Sequence, residues 1–221
     1  MMSKGKNILA IDSSTSVLRV GLAADSGQLY EAENHDRYRH AEFIFKLIED
    51  VMNRAQLDKD DIDVIMIATG PGSFTGLRVG MASAKALAVS LEIPIVGLSI
   101  YSAISGRLFR EYGRTAVLVP SRRNEYYIGL IESPDFNDTL ISVITAEELK
   151  NRSNLPPLLG IDLDMSRLEI SDNRIVDDIS FRLNIIDLIN TGLARLQKSG
   201  GDDIARLEPL YIQDFKPGGT K

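Results

Sequence analysis

Residues 68–88 read ATGPGSFTGLRVGMASAKALA, a glycine-rich turn between an apolar run, DVIMIAT (63–69), and a helix of small residues. Strand, glycine turn and helix in that order build many phosphate-binding sites, so the spacing decides what the turn serves. A Walker-type loop needs four residues between its glycines and then Lys and Ser/Thr, whereas Gly76 is followed by Leu77 and Arg78. A dinucleotide fingerprint needs Gly-x-Gly-x-x-Gly, and Gly70-Pro71-Gly72-Ser73-Phe74-Thr75-Gly76 runs one residue too long before its last glycine. What remains is a helix N-terminus that, with the Ser73 and Thr75 hydroxyls, offers the weak anion contact of any strand–turn–helix unit.

The helix after the turn carries a sharper signal. Gly76, Gly80, Ala84 and Ala88 recur at every fourth position and form one stripe along which another backbone can approach closely. That backbone is either the chain's own sheet or a partner helix. The preceding helix, 41–57, favours the partner. Ile44, Leu47, Ile48, Val51 and Ala55 supply an ordinary core stripe, while Phe43, Phe45 and Met52 widen it on both sides. The result is an apolar arc of roughly 200°, against the ~100° that one core face needs. Surplus apolar surface of this kind marks a partner.

Outward from this centre, residues 7–12, 18–24 and 28–33 read as a three-stranded meander, and IPIVGL (93–98) as a strand followed by a helix over 101–113. The β-β-β-α-β-α-β-α order predicts a mixed α/β layer fold, antiparallel first and parallel later. From Thr115 the rhythm restarts more weakly. AVLVP, YYIGLIES and LISVIT suggest a second, degenerate meander, TAEELK a short helix with a capping box from Thr145 to Glu148, and LPPLLGI a strand. A helix is expected over 181–198, with Ile185, Ile186, Ile189, Leu193 and Leu196 on one stripe and Gly200-Gly201 as its stop. Two related lobes follow, 1–112 and 113–221.

Composition narrows the function. Lys plus Arg number 25 against 31 Asp plus Glu, a net charge of −6, so the chain alone lacks the basic field of an autonomous nucleic-acid binder. It has no cysteine, which excludes disulfides, thiolate catalysis and thiolate metal sites. The apolar run near the N-terminus stops at Asp12, too short for a secretion signal or a membrane span, and the expected setting is the cytoplasm, away from membranes. His35 and His40 bracket a helix start with no third metal ligand near in sequence; His40 and Glu42 read as helix-start residues with a local hydrogen bond.

Taken together, ILAIDSS, His40-x-Glu42, GPGSFTGLRVGMASAKALA, IPIVGLS, SRRNEYY and PLYI resemble the bacterial TsaB (YeaZ) family. The likeness covers most of 7–130 and returns at 209–212; its specific part is Gly-Pro-Gly-Ser-Phe-Thr-Gly-Leu-Arg-x-Gly. The resemblance implies two tandem actin-like, ribonuclease-H-like lobes. It also implies a non-catalytic companion of the related transferase TsaD, working with the small ATPase TsaE to form threonylcarbamoyl-adenosine at tRNA position 37. On this reading ATP and metal belong to the partner subunits, tRNA is met only through the complex, and a homodimer is the alternative state of the isolated chain. The resemblance further places helices 41–57 and 76–91 in the dimer interface, giving Phe43, Ile44, Phe45, Leu47, Ile48, Val51, Met52, Gly76, Gly80, Ala84 and Ala88 as interface residues.

ATP-using relatives place a phosphate turn where Asp12-Ser13-Ser14-Thr15 stands, but glycine is absent from this turn. Pro120 and Asn124 replace the Asp and Gly usual in the family's motif. Asp12, Ser14, Ser73, Thr75, Arg122 and Arg123 are accordingly weak candidates for an anion or nucleotide contact. The competing functions are an ATP-dependent small-molecule kinase or acyltransferase using Asp12 and the 73–76 loop, and a metallopeptidase, which lacks the His-x-x-x-His pair of the enzyme branch.

Overall fold

A computed structural model describes residues 5–36, 39–168, 170, 175–176 and 183–212. Strands β1 (Ile8–Asp12), β2 (Leu18–Ala23) and β3 (Leu29–Asn34) form the antiparallel meander. Helix α1 (His40–Ala55), β4 (Val64–Gly70), α2 (Phe74–Leu91) and β5 (Ile95–Ser99) follow. The sheet order is β3-β2-β1-β4-β5, with β4 parallel to both β1 and β5. Every residue of β1 and β4 is buried, as befits central strands covered on both faces.

Side-chain alternation divides this cover between two helix layers. Leu9, Ile11, Val20, Leu22, Ile65 and Ile67 point to α1 and α2, where they meet Ile44, Ile48, Val51, Met81 and Ala84. Ile8, Ala10, Met66 and Ala68 point the other way, to α3 (Ile100–Tyr112) and α5 (Ile185–Ser199). A β-carbon at Gly192 of α5 would lie 2.3 Å from the Met66 sulfur, which measures how closely that helix approaches.

The second sheet repeats the first in reduced form. Strands β6 (Thr115–Pro120), β7 (Glu125–Ile131) and β8 (Ser142–Thr145) are an antiparallel meander, and β9 (Leu158–Gly160) lies parallel to β6, giving β8-β7-β6-β9. Helix α4 (Ala146–Asn151), opened by the expected Thr145–Glu148 capping box, buries Leu149 against the outer face of this sheet. Its inner face, with Val117, Val119, Ile131 and Leu159, shares one core with α3 and α5. The order is thus α1/α2, sheet, α3/α5, sheet, α4.

Some boundaries differ from expectation. Helix α2 starts at Phe74 rather than 76, because Ser73 is its N-cap and accepts a hydrogen bond from the Gly76 N–H at 3.2 Å. Helix α1 ends at Ala55, where Gln56 turns left-handed at φ 58°. Helix α5 starts at Ile185, with Asn184 accepting from the Ile186 N–H at 3.1 Å; positions 181–182 of the expected helix lie outside the described residues.

The division at 112/113 separates the strands of the two sheets but not the helices, since α5 packs on β1, β2, β4 and β5. After α5 the chain runs back along the edge strand β5. The Asp202 N–H donates to the Ile95 carbonyl at 2.8 Å and the Gly97 N–H to Asp202 Oδ2 at 2.8 Å; farther along, the Leu210 N–H reaches the Thr69 carbonyl of β4 at 2.8 Å. An edge that would otherwise offer free backbone groups is thereby covered. A fragment of residues 1–112 is therefore expected to expose Ile8, Ala10 and Met66 and to aggregate. Fusing residues 183–212 to it through a linker should restore a soluble, cooperatively melting protein, as size-exclusion and thermal unfolding would report.

Candidate functional site

The glycine turn is shaped by contact with the turn after β1. Ser14 donates to Asp12 Oδ1 from both its N–H, at 2.9 Å, and its hydroxyl, at 2.5 Å, and its carbonyl accepts from the Ser73 N–H at 2.7 Å. A β-carbon at Gly72 would sit 1.9 Å from the Ser14 carbonyl oxygen, and one at Gly76 2.3 Å from that of Ser13. These glycines permit one stretch of backbone to lie on another.

Between the sheets lies a cleft of about 380 Å³. One wall is Ser14, Thr15, Ser16, Gly72, Ser73 and Phe74; the other is Val119, Pro120, Ser121, Arg122 and Tyr127, with Asp162, Leu210 and Tyr211 completing it. Ser14–Ser16 and Ser121–Arg122 within these walls belong to the equivalent first turns of the two meanders. The Tyr211 ring rests 5.5 Å from that of Phe74, and Arg78 lies over Phe74 while donating to the Tyr211 hydroxyl at 3.1 Å.

Below the first wall Asp12 is fully buried beside Arg19, its direct partner across β1 and β2. Arg19 Nη1 reaches Asp12 Oδ2 at 3.4 Å and the Thr15 hydroxyl at 3.3 Å, and its Nε reaches Glu33 Oε1 at 3.2 Å. Both Nη atoms donate to Asp162, the shortest contact being 3.0 Å. Burial raises the Asp12 carboxyl above its ordinary value, with Arg19 and the Ser14 hydrogen bonds pulling it back. Burial acts to lower the Arg19 guanidinium, but Asp12, Asp162 and Glu33 outweigh it and hold the charge in place.

Of the residues that the sequence marks for an anion, the fold brings Ser14, Ser73 and Arg122 to the cleft. Three do not fit. Asp12 lies beneath the wall, its carboxylate taken up by Arg19 and Ser14, while Thr75 and Arg123 are exposed and line no part of the cleft. Among the described residues Arg122 is the one lysine, arginine or histidine lining the cleft, and no group of three His, Asp or Glu is placed to hold a metal ion. His35 pairs with Glu33 at 3.3 Å, His40 is buried at the first turn of α1, and Glu42 pairs with Arg39 at 2.6 Å.

The expected interface needs a larger correction. Gly76, Gly80, Ala84 and Ala88 are all buried within the chain, and a β-carbon at Gly80 would lie 2.0 Å from the Ser13 hydroxyl. The stripe is narrow because the chain's own β1 turn and sheet press against it, which takes up this face within the single chain. Ile44, Ile48, Val51 and Met52 are likewise interior. What α1 presents outward is Phe45, 52% exposed, flanked by the half-buried Phe43 and Leu47. The outer side of α2 carries Ala82, Ala86 and Val89, the last 61% exposed, a second stripe of small apolar side chains opposite the first.

Sequence reading missed Arg19, Asp162 and Tyr127. Arg19 had a usable signal, a charged residue inside the otherwise apolar strand LRVGLA; Asp162 and Tyr127 had none.

A family model described as TsaD, tRNA N6-adenosine threonylcarbamoyltransferase, matches residues 34–153. The tRNA threonylcarbamoyladenosine biosynthesis protein TsaB of Bacillus subtilis (strain 168) is 31% identical over 176 residues, 75% of this chain and 75% of that protein. TsaB of Escherichia coli (strain K12) is 33% identical over 122 residues, 54% of this chain and 56% of its own length. YeaZ from Pseudomonas aeruginosa superposes with a TM-score of 0.72 at 20% identity, over 93% of this chain and 99% of that one. The fold is the actin-like, ribonuclease-H-like α/β arrangement of two mixed sheets flanked by helices. With its glycine turn folded onto β1 and its meander repeated across a cleft, this chain belongs to the TsaB (YeaZ) family of tRNA threonylcarbamoyladenosine biosynthesis proteins.

Proposed function

We propose that the chain is a non-catalytic subunit in the formation of threonylcarbamoyl-adenosine in tRNA, a cytoplasmic scaffold that pairs with a TsaD-like transferase. A TsaE-like ATPase would supply the nucleotide chemistry, and tRNA would be met by the assembled complex. The observation that carries this reading is the exposed apolar side chains of two helices that pack on each other, Phe45 on α1 and Val89 with Ala82 and Ala86 on α2. Large apolar side chains held out by two packed helices favour a protein partner over solvent. The alternative, an ATP-dependent kinase or acyltransferase, would need Asp12 free to face a metal-bound phosphate, and its carboxylate is instead engaged by Arg19 and Ser14. The test compares the purified chain, a TsaD-like transferase from the same cells, and the two together with the ATPase, in tRNA threonylcarbamoylation. Transfer is expected only from the complete mixture. Sustained ATP turnover by this chain alone would overturn the assignment.

A further inference from the structure

We propose that Arg19 is a latch between the two sheets, and that parting of the Arg19–Asp162 pair is the motion by which the cleft opens. Arg19 is only 2% exposed and lies on the same side of β2 as Gly21, the side facing the second half of the molecule. The first sheet holds it independently of Asp162. The residues paired with it on the flanking strands are both acidic, Asp12 on β1 and Glu33 on β3, and Thr15 accepts a further bond. Asp162 approaches from the turn after β9, 143 residues along the chain, and takes both Nη atoms of the guanidinium.

The two halves of this pair are unequally fixed. When Asp162 withdraws, Arg19 remains neutralised by Asp12 and Glu33, so no buried charge is left alone, and Asp162 passes into the cleft it lines. Asp162 moves with the second sheet, since the N–H of neighbouring Ile161 donates to the Leu118 carbonyl of β6 at 2.9 Å, and it holds a left-handed backbone, φ 48°. Elsewhere, among the described residues, the halves meet through the α3/α5 layer, apolar but for the Arg107–Asp187 pair, and through Asp138, which accepts from Ser99 and Ser102; this side serves as the hinge. Opening therefore separates the Ser14–Ser16 wall from the Pro120–Arg122 wall and leaves the core intact.

The experiment is hydrogen exchange on the full chain, read by fragment, with small-angle scattering for overall size. Asp162→Asn removes the charge and suits a left-handed turn; Arg19→Lys keeps the charge beside Asp12 but loses the fork. Both are expected to speed exchange of residues 13–16 and 160–163 by about tenfold or more, with slow exchange retained in β1 and β4. Glu33→Gln, which touches Arg19 without crossing the cleft and removes a charge that neutralises it in the open state, should leave both segments unchanged or slower. Three results would overturn the latch: unchanged cleft segments in both variants, equal acceleration throughout both sheets, or a Glu33→Gln profile matching that of Asp162→Asn.

Discussion

Gly76→Ala is expected to destabilise the protein by about 2–3 kcal/mol, against the ordinary trend for a helical glycine. Alanine in a helix interior is favoured over glycine by about 1 kcal/mol, so the same change on an open helix face stabilises. At this position the new β-carbon meets the Ser13 carbonyl oxygen at 2.3 Å, and a backbone atom in a turn tied down at Asp12 and Ser73 has little room to yield. The melting temperature should fall by roughly 5–10 °C, at the 2–4 °C per kcal/mol expected for a chain of this size. Gly72→Ala, whose β-carbon would lie 1.9 Å from the Ser14 carbonyl oxygen, should cost at least as much. Ser90→Ala, on the exposed side of the same helix, should stay within about 0.5 kcal/mol of the parent. Urea denaturation of the three variants checks the set. Equal stability of Gly76→Ala and the parent would mean that the α2 stripe does not rest on the β1 turn.

The second large effect concerns association. A chain carrying Phe45→Glu and Val89→Glu should bind a TsaD-like partner, or a second copy of itself, at least about 100-fold more weakly, the equivalent of losing one strong interfacial anchor. Both side chains project into solvent, so the variant should melt within a few degrees of the parent. That separation of binding from folding distinguishes the outer face from the inner stripe. Ala84→Leu would also abolish binding, but by forcing a larger side chain into a fully buried site and damaging the fold. Calorimetric titration with the partner and sedimentation of the isolated chain would measure the two associations. Undiminished affinity in the double variant would place the partner elsewhere on the molecule.

Much of the architecture was legible because apolar runs and turn residues record local geometry. ILAID and VIMIATG are buried on both faces and read as strands without further context. The repeat across the two halves was weaker, since β8 and β9 are short and carry few residues in phase. Periodicity identified the Gly76–Ala88 row as one face of a helix but not the neighbour of that face. The β1 turn, more than sixty positions earlier, fills it. Resemblance then drew those residues toward a partner when the exposed row was Ala82, Ala86 and Val89. The ion cluster shows the same limit: Arg19 and Asp162 meet only because two meanders face each other, and no local pattern joins residues 143 apart.

Because α5 and the segment after it cover the first sheet, synthesis and folding run out of step. The last strand of that sheet, β5, leaves the ribosome about ninety residues before the helix that shields its inner face. At about 5–20 residues per second, that interval lasts on the order of 5–20 s. Throughout it Met66 and its neighbours lack their final cover and β5 offers an open edge, so the nascent chain passes through a stage at which chaperone capture or strand pairing with another nascent chain competes with completion.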